Sequence, residues 1–425
     1  MRQFTVTLCL ALCAAAPAWA ADPPAAPADD LDALSLADKA PTTTAQPAPK
    51  WRAFVEGAAG QGTLGGSDAH FGTSRGSLDV RYDANVAQEL RVVLSDRFDG
   101  VHSNGVPTGE NVNTLREAYL SWARTDDQII DFGRVNVRHG VALGFNPTDW
   151  FKEGALRSVV SPDPAVLREN RQGTVVLQGQ KLWATGSLTA AFSPKLGDAP
   201  NPATFAFDAG ATNPRNRWLL TGSYKVSDKF SPELLLYGGA NTPTQVGLNA
   251  SGLIGESTVV FGEFSAGKGR SLTAQALNLA QTERSQRRVA LGLTYTTGFN
   301  LSVTAEAEYN SAAPDRDQWN ALPGLDPAAP LRVLGTSQTL QDLPVRRAWF
   351  FYATWKDVVL RRLDVSGFVR HDAETRSRAQ WLEARYHWDR AELALQWQLY
   401  SGRPGSVYGT IPQRRTVELV LRAYL

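Results

Sequence analysis

Past residue 13 the sequence has no cysteine, and past the initiator it has no methionine. Two cysteines, Cys9 and Cys13, are too few for a disulfide framework or a cysteine-based zinc site. Neither sign of charge is in excess, since 43 Lys plus Arg face 42 Asp plus Glu. No surplus positive charge is left to neutralise a phosphate backbone, so nucleic acid is excluded as the principal partner. A mean hydropathy of -0.26 excludes a bundle of transmembrane helices, each of which needs roughly 18 or more apolar residues. His70, His102, His139, His371 and His387 lack close metal-ligand spacing, and no Gly-rich phosphate cradle follows a strand and opens a helix. Neither a metal nor a cofactor is expected.

The N-terminus carries its own signal. Arg2 is a positive n-region, Phe4 to Ala15 an apolar h-region, and Ala18-Trp19-Ala20 a small-x-small cleavage pattern. This predicts a cleavable signal peptide over 1–20, export, and a mature chain free of cysteine. Lipid attachment at Cys13 is the alternative, against which stands Leu12, where that processing needs a small residue. Residues 21–50 are rich in Ala and Pro and contain no aromatic residue. Such a composition cannot bury enough apolar surface to offset its ordering entropy, so it reads as a flexible periplasmic leader. Within it, Asp30 to Ala37 groups Leu31, Leu34 and Leu36, a docking segment for a periplasmic partner if the leader has one.

From Trp51 to Leu425 the dominant period is two. Phe299, Leu301, Val303, Ala305, Ala307 and Tyr309 alternate with Asn300, Ser302, Thr304, Glu306, Glu308 and Asn310. A strand places these sets on opposite faces, whereas a helix would smear them around its circumference. Leu393, Leu395, Trp397 and Leu399 repeat the pattern. Across 51–425 it predicts an all-β fold of about 18 strands of about 7 to 11 residues, with 16 as the alternative count.

The connections alternate between tight and long. Tight ones include Ala84-Asn85-Val86, Gln180-Lys181, Thr297-Gly298 and Asp389-Arg390. Long ones include Gly60 to Gly76, Phe98 to Asn113, Val135 to Gly173, Ser193 to Asn216, Ser311 to Arg346 and Ser401 to Arg415. This is the meander of a transmembrane up-and-down antiparallel β-barrel, with short periplasmic turns and longer outside loops. A soluble propeller or sandwich also alternates, but lacks the two-rim asymmetry and the aromatic strand ends of Trp51, Tyr82, Trp122, Trp218, Tyr309, Tyr386 and Trp388.

The last segment, Arg415 to Leu425, has an outward apolar row of Val417, Leu419, Leu421, Ala423 and Leu425 and a penultimate Tyr424. It resembles the C-terminal assembly signal of Gram-negative outer-membrane β-barrels, although it ends in Leu instead of Phe. The resemblance implies an outer-membrane location, contact with lipid, and recognition by the barrel-assembly machinery. The Gly133 to Gly140 segment is similar to alginate-export-type and related 18-stranded channels.

If the apolar rows face lipid, the alternate rows line the interior. The lumen-lining candidates are Arg52, Glu56, Arg81, Glu117, Glu306, Glu308, Arg362, Asp364, Arg385, Glu418 and Arg422. Closure would bring Glu418 and Arg422 beside Arg52 and Glu56. The loop Val135 to Gly173 is too long to be a simple connection, and Trp150, Phe151 and Leu156 in it need burial. Folded inward it would place Arg138, Asp149, Lys152, Glu153, Arg157, Arg168, Glu169 and Arg171 at a constriction. Folded outward it would cap the barrel.

Catalysis has little support. His102-Ser103 are adjacent, so a strand would point them to opposite faces, separating nucleophile from base. His371-Asp372 is one adjacent pair of the kind an omptin-like protease arranges at its outer rim. The expected function is a porin-like channel for a polar solute. An export conduit and an occluded structural or adhesive barrel are the alternatives, and the oligomeric state is left open.

Overall fold

The computed structural model describes residues 50–67, 69–104 and 111–425. The expected signal peptide, the leader up to residue 49 and its 30–37 segment lie outside them.

Period-two patterning builds 18 strands. The first nine are β1 (Trp51–Leu64), β2 (His70–Ala87), β3 (Leu90–Asn104), β4 (Val112–Thr125), β5 (Gln128–Val135), β6 (Thr174–Trp183), β7 (Gly186–Ser193), β8 (Arg217–Tyr224) and β9 (Glu233–Gly239). The rest are β10 (Thr242–Ile254), β11 (Thr258–Gly269), β12 (Arg284–Thr296), β13 (Leu301–Asn310), β14 (Arg347–Trp355), β15 (Leu363–Asp372), β16 (Arg378–His387), β17 (Ala391–Ser401) and β18 (Gln413–Tyr424). Each pairs antiparallel with its neighbours in the chain, and β18 returns to β1 in a continuous ladder from Phe54↔Tyr424 to Thr63↔Arg415. The sheet is thus a closed barrel without a free edge.

Alternation sorts the side chains by face. Val55, Leu78, Leu94, Leu120, Leu291, Leu395 and Leu419 are exposed on the outside, while Glu56, Asp79, Glu263, Glu306 and Glu308 are buried on the inside. An apolar outer band over a polar interior is the inverse of a soluble protein and the pattern of a barrel solvated by hydrocarbon. Trp51, Trp122 and Trp388 are exposed at the short-turn rim, and Trp218 near the loop rim.

The termini of several strands differ from the sequence expectation. The β2–β3 and β6–β7 turns fall at Gln88-Glu89 and Ala184-Thr185, not at Ala84-Asn85-Val86 and Gln180-Lys181. Most of Gly60 to Gly76 is strand, paired from Gly60↔Thr73 to Thr63↔His70. His102 and Ser103, expected in a loop, lie in β3 opposite Ser74 and Thr73.

The loop-rim connections carry five short helices: α1 (Pro164–Glu169), α2 (Ala209–Thr212), α3 (Leu272–Ala276), α4 (Arg316–Leu325) and α5 (Ala329–Leu340). Asp315 caps α4, accepting from the Gln318 N–H while the Gln318 side chain accepts from the Asp315 N–H, a reciprocal capping box. Leu272, Trp319, Leu322, Val333, Leu334 and Val407 form an apolar cluster joining α3, α4, α5 and the β17–β18 loop.

Candidate functional site

At Val135 the chain leaves the wall, and at Thr174, the register partner of Val135, it returns. The intervening segment folds into the barrel and docks on the opposite wall. Gly140, at φ +100, lies so close to Glu263 of β11 that a Cβ there would meet its carboxylate at 2.5 Å. Gly144 presses as closely on Glu308 of β13 and Phe350 of β14.

That approach aims successive backbone N–H groups at wall carboxylates. Val141 and Ala142 donate to Glu263 Oε1 at 2.5 and 2.6 Å, and Leu143 and Gly144 to the two oxygens of Glu306 at 2.6 and 3.0 Å. Asn146 Nδ2 and Thr148 Oγ1 add bonds to Glu263 at 3.0 and 3.1 Å. Arg370 of β15 donates to the Gly144 carbonyl and pairs with Glu308 at 3.1 Å. Charge-assisted bonds of this kind are about twice as strong as neutral ones, so two wall carboxylates and one arginine hold the segment.

The aromatic residues complete the seat. Trp150 stacks on Tyr237 of β9 with centroids 5.0 Å apart, and its indole N–H donates to Gln245 at 2.9 Å. Phe151 is buried with Leu219, Leu235 and Tyr237. After Asp149 the segment makes a single 3-10 turn, Trp150–Lys152, and a longer helix follows as α1, where Asp163 Oδ1 accepts from the Ala165 N–H at 2.8 Å.

Between this segment, the Leu334–Pro344 stretch and the walls of β2, β3 and β15–β18 lies a cavity of about 790 Å³. Of the eight constriction candidates, Lys152, Arg168 and Arg171 line it. Lys152 sits 3.4 Å from Asp342 and donates to the Asn146 carbonyl at 2.8 Å. Arg171 pairs with Asp149 at 2.5 Å and donates to Gln341 at 2.9 Å. Burial pulls Lys152 below its ordinary value against the pull of Asp342 and Asp149. For Asp342, burial pushes up, but Arg288 and Lys152 outweigh it and hold the carboxyl low. Burial also pushes Asp163 up to about 6, partly opposed by the Ala165 N–H and assisted by Glu383.

The other five candidates lie away from the cavity lining. Glu153 pairs with Arg215, Glu169 is exposed, and Asp149 is the buried partner of Arg171. Arg138 precedes the docked turn and is not among the lining residues. Arg157 staples the wall: because β5 ends at Val135, the upper half of β4 is left without it, and the 201–208 stretch fills in. Arg157 donates to the carbonyls of Asn113, Ala206 and Ala203 at 2.9, 3.0 and 2.9 Å.

The wall candidates divide similarly. Glu56 is bracketed by Arg75, Arg97 and Arg422 at 2.5, 2.9 and 2.8 Å, and Glu418 is 3.9 Å from Arg75. Arg385 bridges Glu383 and Glu392 at 2.8 and 2.7 Å. Arg81 pairs with Glu117. Asp364 pairs with His387 at 3.2 Å, and Arg52 is exposed in β1 opposite Arg81. Arg362 is a correction: it lies in the β14–β15 turn, with φ +69, and reaches Asp389 of another turn at 2.8 Å.

Sequence reasoning passed over the uncharged side of the cavity. Phe368, Trp381, Gln396, Gln398 and Tyr400 of β15–β17 line it, with Phe368 and Trp381 stacked at 5.8 Å. Their inward parity was readable in the alternation; only their lack of charge hid them. The hydrolase pairs separate as strand geometry requires: His371 faces outward beside Trp349, and Asp372 is buried, accepting from Thr375 and Ser377.

No family model matches the sequence, and no curated protein matches it. Solved structures do share the fold. OpdQ of Pseudomonas aeruginosa superposes with a TM-score of 0.55 at 9% identity over 89% of this chain and 99% of that one. OccAB1 of Acinetobacter baumannii gives 0.54 at 10% identity over 88% and 96%, and OccK5 (OpdH) of P. aeruginosa 0.53 at 10% identity over 88% and 98%. At the level of architecture this chain is similar to those barrels along nearly its whole described length.

Proposed function

We propose that the chain is an outer-membrane porin-like channel through which a polar solute passes, exported by the 1–20 signal peptide and assembled through its C-terminal strand. The observation that carries this reading is the inward segment, tied by Glu263, Glu306 and Arg370 to the wall and leaving beside it a cavity of about 790 Å³ lined by both polar and apolar side chains. A hydrated bore narrowed by a fixed internal loop selects by size and charge. The similar barrels named above are outer-membrane channels, which supports the same reading, and a solute path needs no catalytic residue.

The cavity's charges are mostly cancelled: Arg75, Lys152, Arg171 and Arg370 each have a carboxylate partner. Arg168 is held by the Ala142 and His139 carbonyls at 3.5 and 3.4 Å, and carbonyls leave its charge in place. The bore therefore passes small neutral and anionic solutes more readily than cations. In planar bilayers under a salt gradient, the wild-type channel shows a weak anion preference and Arg168→Glu reverses it. A refolded barrel that conducts no ions refutes the channel reading, and an unchanged reversal potential removes Arg168 from the solute path.

A further inference from the structure

The outer face of the barrel is not uniformly apolar. Across β10 to β18 and β1, the outward row of every strand carries only six ionisable side chains other than tyrosine: Lys268, Arg287, Arg347, His371, Arg378 and Arg415. None is an acid. Each sits within the last or first few residues of its strand at the loop rim: Lys268 near the end of β11, Arg287 near the start of β12, Arg347 and Arg378 opening β14 and β16, His371 near the end of β15, and Arg415 near the start of β18. At the opposite rim, no outward strand position of the same arc is charged.

The inward rows of those strands hold acids and bases in pairs, so the one-signed outer arc is not a consequence of composition. Arg347 is anchored by Glu374 at 2.7 Å. Lys268, Arg287, Arg378 and Arg415 have no ion pair among the described residues. Register brings the centre of the arc together, with Trp349 beside His371 and His371 beside Arg378. These residues, with Phe351 and Val369, enclose an outward furrow of about 500 Å³. His371 Nδ1 is buried there with no hydrogen-bond partner.

We propose that this furrow and its basic arc bind a phosphate-bearing lipid of the loop-side leaflet. An acyl chain lies along Trp349, Phe351 and Val369, and the phosphate meets Arg378, His371 and the free face of Arg347. Phosphate is the group that uses several basic side chains at one level, and an arginine fork matches its oxygens. The aromatic floor directly below marks the depth at which headgroups give way to hydrocarbon. The proposal rests on the membrane reading of the barrel.

The test uses the full mature chain refolded in detergent, with insertion scored separately by heat-modifiable migration. Native mass spectrometry then measures retention of a bisphosphorylated, multiply acylated diglucosamine lipid, the same lipid with its phosphates removed, and inorganic phosphate as competitor. The phosphorylated lipid is retained at least about tenfold better than the dephosphorylated one, and a triple variant, Arg347→Ser, His371→Ser and Arg378→Ser, loses that preference while still folding. Equal retention of both lipids, an unaffected triple variant, or displacement by equimolar inorganic phosphate overturns the lipid site. Failure to fold into the heat-modifiable form counts against the membrane reading instead, so the two failures are distinguishable. Arg378→Lys, which keeps charge but loses the fork, weakens retention less than Arg378→Ser.

Discussion

Asp163 shows how a single residue ties the interior loop to pH. Its carboxyl caps α1, lies 3.3 Å from the Tyr352 hydroxyl and is held at about 6 chiefly by burial. Because the folded value lies above the ordinary one, folding favours the neutral form. Its stabilising contribution is complete below the ordinary carboxylate range and is lost as pH rises through about 6. The full swing is on the order of 2–3 kcal/mol, since each tenfold change in acid dissociation is worth about 1.4 kcal/mol. Asparagine keeps the cap and cannot ionise. Asp163→Asn therefore resists proteolysis of the 158–170 stretch equally at pH 5 and pH 7.5, whereas the wild type is more resistant at pH 5. The same pH dependence in both proteins would show that another group controls the segment.

At the scale of elements, the wall and the internal segment make different demands. Removing residues 146–164 deletes Trp150, Phe151, the Thr148 bonds and the Arg157 staple but no residue of any wall strand. The truncated barrel assembles and its single-channel conductance rises at least about twofold, since the obstruction inside the bore is gone. Unchanged conductance in a correctly folded truncation would place the narrowest point elsewhere. The wall was the legible part of the sequence, because lipid on one face and water on the other enforce strict alternation along each strand. Legibility failed where lipid ends. The ladder from Gly60↔Thr73 to Thr63↔His70 stands at the loop rim, where both faces can be polar, so Gly, Ser and Thr there read as loop. Lys181 looked like part of a turn because it is polar, yet it pairs with Gln128 shortly before β6 ends. The inward segment was recognisable as unusual by its length and its Trp150-Phe151 pair. Its partners were not, because Glu263 and Glu306 lie more than a hundred positions away in sequence.

For the whole molecule, the near-equality of positive and negative residues conceals a strong spatial ordering. Acids and bases alternate as partners on the inner wall, with Glu56 shared among Arg75, Arg97 and Arg422 across β1, β2, β3 and β18. That cluster spans the junction where the first and last strands meet, so it ties closure to charge pairing as well as to the ladder. The refolded protein runs faster than its boiled form on a denaturing gel, and Glu56→Ala lowers the temperature at which the fast form is lost, because truncation removes the one carboxylate that three arginines share beside the seam. A single mobility at all temperatures would refute the barrel in solution. The rung Val135↔Thr174 has a further consequence. Since the chain departs and re-enters the wall at adjacent sites, everything between them is an insertion that any barrel of this register can accept or exchange. Selectivity can thus change by replacing one cassette, while the outer surface of the barrel stays the same.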